Sequence, residues 1–250
     1  MIFHVVKTTT LFLLLALSGI ATSTEYTVIG DHYPPYQYKE NKNVQGFSLD
    51  ILSAVLAMNG DRIVRSEIYP WKRALHMLKT NQASILISAN YSKERQRYAR
   101  YPDEPIIITP WYLWKRKVDS LKLDSLDDLL GKRIGVVQGY SYTKEFWAFI
   151  KKNHLYIDTE NYTDDINLSN LNQGFYDVAV AELGNGLYLR KNLQLNNIEP
   201  ITSMVIKEDG LYAIFNKHQT SEEAVRIFSN NLIEFKKSPA YNRIHKHYFP

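Results

Sequence analysis

The chain has 250 residues, with 30 Lys and Arg against 26 Asp and Glu, and it contains no cysteine. A formal charge of +4 without a long basic run argues against a nucleic-acid partner. The missing cysteine excludes disulfides, thiolate metal sites and a lipid anchor on a cysteine behind the leader.

In residues 1–23, Lys7 precedes an apolar run over 11–16, and the small residues Gly19, Ala21 and Ser23 follow. That order reads as a secretory signal peptide, cleaved after Ala21 or Ser23. An uncleaved membrane anchor is the alternative, but no later segment approaches the ~20 apolar residues of a spanning helix. Cleavage after Ser23 leaves 227 residues with a charge of +3, enough for one large or two modest domains. An exported, unanchored chain is useful where an outer barrier retains it, so a periplasmic location is expected.

The mature chain opens on a predicted strand, 26–30. Ile51, Leu52, Val55 and Leu56 then share one face of a helix that Asn59-Gly60 ends. A strand at 62–68, helical spacing of Trp71, Ala74, Leu75 and Leu78, and a buried apolar run at 85–88 complete a β-α-β-α-β order. The grammar restarts with a helix-start signal at Ser125 and Asp128, a buried strand over 133–138 ending at Gly139, and a helix over 143–153. Gly174 stops another helix, and 177–181 is again an apolar strand. The remainder, a strand at 211–215 and one long amphipathic helix behind a capping box at 220–223, is too little for a third domain and must pack on one of the other two. No Pro-rich or low-complexity tether separates the two α/β units, which predicts crossing strands between them.

Read in order, Tyr33-Pro34-Pro35-Tyr36, Gly46-Phe47-Ser48-Leu49-Asp50, Ser92-Lys93-Glu94-Arg95, Gly131-Lys132-Arg133-Ile134-Gly135-Val136, Gln138-Gly139 and the stretch 174–182 resemble the polar amino acid family of periplasmic binding proteins, the solute receptors of ABC importers (extracellular solute-binding proteins, family 3). The likeness covers nearly the whole mature chain. It implies an α/β, two-lobed type II binding-protein fold, each lobe a mainly parallel sheet flanked by helices. The first lobe would take 24–112 plus 209–250 and the second 113–208, with hinge crossings near 112–115 and 209–212. It also implies hinge closure around a small polar ligand, an amino acid or derivative, by a monomer that hands it to an inner-membrane ABC permease. No cofactor, metal or catalytic residue is implied.

The same resemblance assigns ligand-binding roles to Tyr33, Tyr36, Trp71, Ser88, Asn90, Arg95, Ser141 and Glu182. A free amino acid carries a carboxylate and an ammonium, and neither is buried without a partner. Arg95, three residues after Ser92, stands where the family's Thr-x-x-Arg arginine grips the carboxylate with both fork nitrogens. Without the family it reads as one of four basic residues on a solvated face. Ser88 and Asn90 match loop positions that bond the ligand, although short polar residues also cap turns. Gly139-Tyr140-Ser141 lies between strand and helix, where backbone N–H groups and the Ser141 hydroxyl meet an anion. Glu182 ends a strand where the family has an aspartate for the ammonium, and an ordinary strand-end acid is the other reading. Tyr33 and Tyr36 flank two prolines and would wall the ligand; Trp71 serves either the cleft or the core.

Four positions depart from the family pattern: Asn90 for Ser or Thr, Glu182 for Asp, Ala83 for Asp, and the bulky Tyr140 for a small residue. The bulkier Tyr140 and the longer Glu182 either shrink the pocket or serve a ligand that is not an α-amino acid. Two other functions stay open. One is a ligand-sensing receptor for a membrane signalling partner. The other is a lyase-type enzyme on the same fold, against which stands the lack of a nucleophile or metal motif.

Overall fold

The computed structural model describes residues 23–249. The predicted leader, 1–23, lies outside the described residues except for Ser23. Among the described residues no helix is long and apolar enough to cross a membrane.

Strand β1 (Glu25–Gly30) leads to a hairpin of β2 (Tyr38–Glu40) and β3 (Asn43–Gln45), then α1 (Phe47–Ala57), β4 (Arg62–Ile68), α2 (Trp71–Lys79) and β5 (Ile85–Ala89). β4 and β5 both run parallel to β1, one on each side, so each return passes through a helix. β5 is buried at all five positions, as an apolar run with cover on both faces must be. α1 buries Phe47, Ile51, Leu52, Val55 and Leu56, and α2 buries Trp71, Ala74 and Leu78, the faces that the periodicity marks. The hairpin was not anticipated. Its turn residues Asn41 and Lys42 both have positive φ, 48° and 76°, and Lys42 stands where a glycine would have signalled such a turn.

After the two-residue β6 (Ala99–Arg100), the long β7 (Ile107–Arg116) enters a second sheet with β8 (Ile134–Val137), β9 (Ile157–Asn161) and β10 (Val178–Glu182). The order β7-β10-β8-β9 places β10, β8 and β9 parallel and β7 antiparallel at the end. Helices α3 (Lys144–Lys152), α4 (Asp164–Gln173) and α5 (Leu183–Asn192) complete this unit. Gly135 of β8 permits close packing: a Cβ there would sit 2.3 Å from the Tyr176 ring.

β11 (Ile198–Asn216) ties the sheets together. Its first part, through Leu211, pairs antiparallel with β7, and from Tyr212 it pairs antiparallel with β5. The chain then returns to the first lobe, where α6 (Glu222–Lys236) and α7 (Pro239–Tyr248) pack on α1. The predicted single C-terminal helix is therefore two. Ser238 accepts from the Tyr241 N–H at 3.2 Å, and Pro239 in the first position of α7 cannot continue α6. The cap of α6 is Ser221, accepting from Ala224 N–H at 3.1 Å, rather than Thr220.

One hydrophobic cluster runs through both lobes, from Tyr33, Tyr36 and Phe47 to Trp111, Tyr142, Phe146 and Val178. The segments that follow β1, β5 and β8 line the same crevice, the place where open α/β sheets present ligands.

Candidate ligand-binding site

The crevice holds a cavity walled by Tyr33, Trp71, Ser88, Asn90, Arg95 and Ser141, six of the eight residues expected to line it. Asp31, Trp111, Tyr140 and Leu211 complete the wall. Tyr36 and Glu182 lie off it.

Arg95 begins a single 3-10 turn just past β5 and is only 6 % exposed. Its Nη1 donates to the Asn90 carbonyl at 3.0 Å, and its guanidinium carbon lies 5.1 Å from the centre of the Trp71 ring. Among the described residues no carboxylate stands within ion-pair distance of it. A buried cation held by one carbonyl and one ring face is an electrostatic vacancy for an anion. Two more buried donors on the same wall, the Tyr33 hydroxyl and the Trp111 indole N–H, have no hydrogen-bond partner within the protein.

Ser88, at φ 55°, is a non-glycine residue in the left-handed region, and β5 slips in register against β11 at that point. Its hydroxyl bonds to Gln37 Oε1 and to Ser48 Oγ, 2.9 Å away. Gln37 in turn donates from Nε2 to Asp31 Oδ1 at 3.1 Å, so Ser88 reaches the cleft through a buried relay. Asn90 spends its side chain on β11: Nδ2 donates to the Gly210 carbonyl at 3.1 Å, and Oδ1 accepts from Lys207 Nζ at 2.9 Å. Trp71 serves both expected roles, packing with Ala74 and Leu78 while its Nε1 crosses the crevice to the Gly139 carbonyl at 3.1 Å.

The loop after β8 departs from expectation. Gly139 takes φ 82°, the Tyr140 N–H turns back to the Val137 carbonyl, and α3 is capped by Thr143 rather than open to an anion. Ser141 contributes its carbonyl, which accepts from Lys207. The Tyr140 side chain extends across the cleft, and its hydroxyl donates to Asp31 Oδ2 at 2.9 Å.

Glu182 was expected to face the cleft and meet an ammonium. Instead it caps α5: one carboxylate oxygen accepts from Gly184 N–H at 2.8 Å and the other from Asn185 N–H at 2.7 Å. Burial pushes its carboxyl up to about 7 against the opposing pull of those N–H bonds. Tyr36 is likewise interior, stacked on Tyr33 at 5.2 Å and edge-on to Phe47, with its hydroxyl directed at Glu182.

Two groups that the sequence reading passed over matter as much. Burial pushes the Asp31 carboxyl up to about 6, with the Tyr140 and Gln37 bonds acting the other way. Lys207, on the crossing strand, places Nζ 4.4 Å from the Trp111 ring centre, and burial lowers its pKa to about 8. The apolar run of β7 is a legible strand signal that would have found Trp111; Lys207 carries no local one.

The sequence pattern of bacterial extracellular solute-binding proteins, family 3, matches residues 27–250. The chain belongs to that family. A curated relative, the arginine-binding extracellular protein ArtP of Bacillus subtilis (strain 168), is 27 % identical over 125 residues, covering 49 % of this chain and 48 % of ArtP. The chain thus spans about half the length of the curated relative it matches. Among solved structures, a histidine kinase sensor domain with similarity to periplasmic binding proteins superposes with TM-score 0.76 at 22 % identity, over 91 % of this chain and 96 % of that one. An ancestral arginine-binding protein bound to arginine gives TM-score 0.78 at 19 % identity, over 90 % and 98 %. Family 3 membership and these superpositions make the fold a two-lobed type II periplasmic binding protein.

Proposed function

We propose that this family 3 protein is a periplasmic receptor that closes on a small polar ligand carrying a carboxylate, an amino acid or close derivative, and presents it to an ABC importer without altering it. The observation that carries this reading is Arg95, a buried guanidinium on the cavity wall with no acid within ion-pair distance among the described residues. A ligand carboxylate would complete it, and the free Tyr33 and Trp111 donors suit the same anion. The arginine bound by ArtP and by the ancestral protein makes L-arginine the first probe.

Movement would occur about β7 and β11, with 24–112 plus 209–250 as one lobe and 113–208 as the other. In support, β11 exchanges β7 for β5 as its partner between Leu211 and Tyr212, inside the proposed crossing. Export would follow from cleavage of the 1–23 leader, which N-terminal sequencing of the secreted protein checks.

The test is calorimetry and thermal shift on the mature protein with a panel of amino acids, amines and small acids. A ligand of the native state raises Tm by mass action, and Arg95→Ala is expected to abolish that rise with the fold intact. Stoichiometric binding with the ligand recovered unchanged supports a receptor over a lyase; turnover contradicts it. The histidine kinase sensor domain of the same fold favours one second reading, ligand sensing for a membrane kinase. Permease and ATPase genes beside this one support import, and a kinase gene supports sensing.

A further inference from the structure

The closed cleft is already filled from within. What remains has about 20 Å³ of space for the centres of water molecules, close to what a single water needs and far short of an amino acid. The side chain that takes the room is Tyr140. Its ring stands edge-to-face with Tyr33 (6.1 Å, 84°), Trp71 (6.1 Å, 85°) and Trp111 (5.9 Å, 86°). Such pairs set the electropositive edge of one ring against the electronegative face of another.

The hydroxyl of Tyr140 reaches a prepared acceptor. Asp31 is fixed on its far side by Gln37, which Ser88 holds in turn. A second carboxylate, Asp164 at the start of α4, is fully buried, and neither of its oxygens has a hydrogen-bond partner. It lies close enough to Asp31 and Tyr140 for each to perturb its charge. Arg95 and Lys207 already lie over the Trp71 and Trp111 rings, but among the described residues the two acids beside the phenol have no cation of their own: they suit a cationic donor, yet a neutral phenol occupies the place.

Resting on the receptor reading above, we infer that Tyr140 is a specificity-determining residue that acts as an internal ligand: it occupies the place of a solute's cationic group, and solute binds by displacing it. Arg95 keeps its vacancy for the carboxylate, so the solute able to compete carries both a carboxylate and a cationic donor. Gly139 supplies a backbone that can turn the side chain out of the way, since its φ of 82° is open to glycine without strain. With Tyr140 seated, the chain's own groups close the crevice: Trp71 to Gly139, Lys207 to Ser141, and Asn185 Nδ2 to the Pro34 carbonyl at 2.5 Å. The site competent for solute is then a fraction of the population, and apparent affinity is reduced by that fraction.

The experiment compares mature wild type, Tyr140→Ser and Tyr140→Phe, each checked for folding by circular dichroism. Binding of L-arginine, L-glutamine and L-glutamate is followed by calorimetry, and the ligand-free radius of gyration by small-angle X-ray scattering. Tyr140→Ser should bind L-arginine about tenfold or more tightly than wild type, gain least for L-glutamate, and be more open when unliganded. Tyr140→Phe, which keeps the ring and loses the Asp31 bond, should fall between. Equal affinity and equal compactness of Tyr140→Ser and wild type overturn the internal ligand and leave the receptor reading standing. A gain for L-glutamate as large as for L-arginine overturns the assignment of the vacated place to a cation. An opened Tyr140→Ser with none of the three probes bound by any variant supports Tyr140 as the latch but overturns displacement by amino acids, and with it the receptor reading for this ligand class.

Discussion

Asp31 and Glu182 are both strand-end carboxylates, both buried, and both pushed upward by burial, to about 6 and about 7. Their partners differ in kind. Glu182 holds two backbone N–H groups of its own helix, bonds independent of any motion between lobes, and only its third partner, the Tyr36 hydroxyl, comes from the other side. Asp31 holds one amide from Gln37 and one phenol from across the crevice, so the opening proposed above would break one of its bonds. The same side-chain chemistry is structural where the backbone satisfies it and exchangeable where a mobile side chain does.

The largest expected break in that comparison is Glu182→Ala. It leaves two N–H groups at the start of α5 uncapped, and denaturant unfolding should show a loss of about 2–3 kcal/mol. Asp31→Asn keeps the volume and should lose about 1 kcal/mol, with its main effect on the open-to-closed balance seen by scattering. A greater loss of stability from Asp31→Asn than from Glu182→Ala would reverse the roles.

The pH dependence sharpens the same contrast. Both folded values lie above the ordinary carboxylates at 3.8 and 4.5, so the native state binds more protons than the unfolded one in between. Their contributions are fully present below about pH 4 and are lost as the pH rises through about 6 and 7. Tm measured from pH 5 to pH 8 should fall less in Glu182→Gln than in wild type, and parallel curves would contradict it. The smallest effect belongs to Trp71→Phe, which keeps a ring in the wall and removes the bond to Gly139, for about 0.5–1.5 kcal/mol in unfolding.

Much of the fold was legible because periodicity is local: the β5 run, the α1 and α2 faces and the β8 and β10 strands all carry it. The break between α6 and α7 was missed although Ser238-Pro239 marks it, because the apolar spacing continues past it. In the site, Arg95 was reached through the Ser92-to-Arg95 segment, and it shares a cavity wall with Ser88 and Trp71. Asp31 meets Tyr140 from 109 positions away, and Lys207 meets Asn90 from 117, distances over which no spacing rule operates. Glu182 misled for a physical reason. Glutamate is an uncommon helix cap, and Gly184 and Gly186 hide the helix that it starts.

The account turns on the unpaired Arg95 guanidinium meeting a solute's carboxylate. The direct measurement is calorimetry of L-arginine against agmatine, which lacks only that carboxylate, on wild type and Arg95→Ala in the Tyr140→Ser background. Wild-type Arg95 should favour L-arginine by about a hundredfold or more, as a charge-assisted, buried pair demands, and Arg95→Ala should bind the two alike. Equal binding of L-arginine and agmatine with Arg95 in place would contradict it.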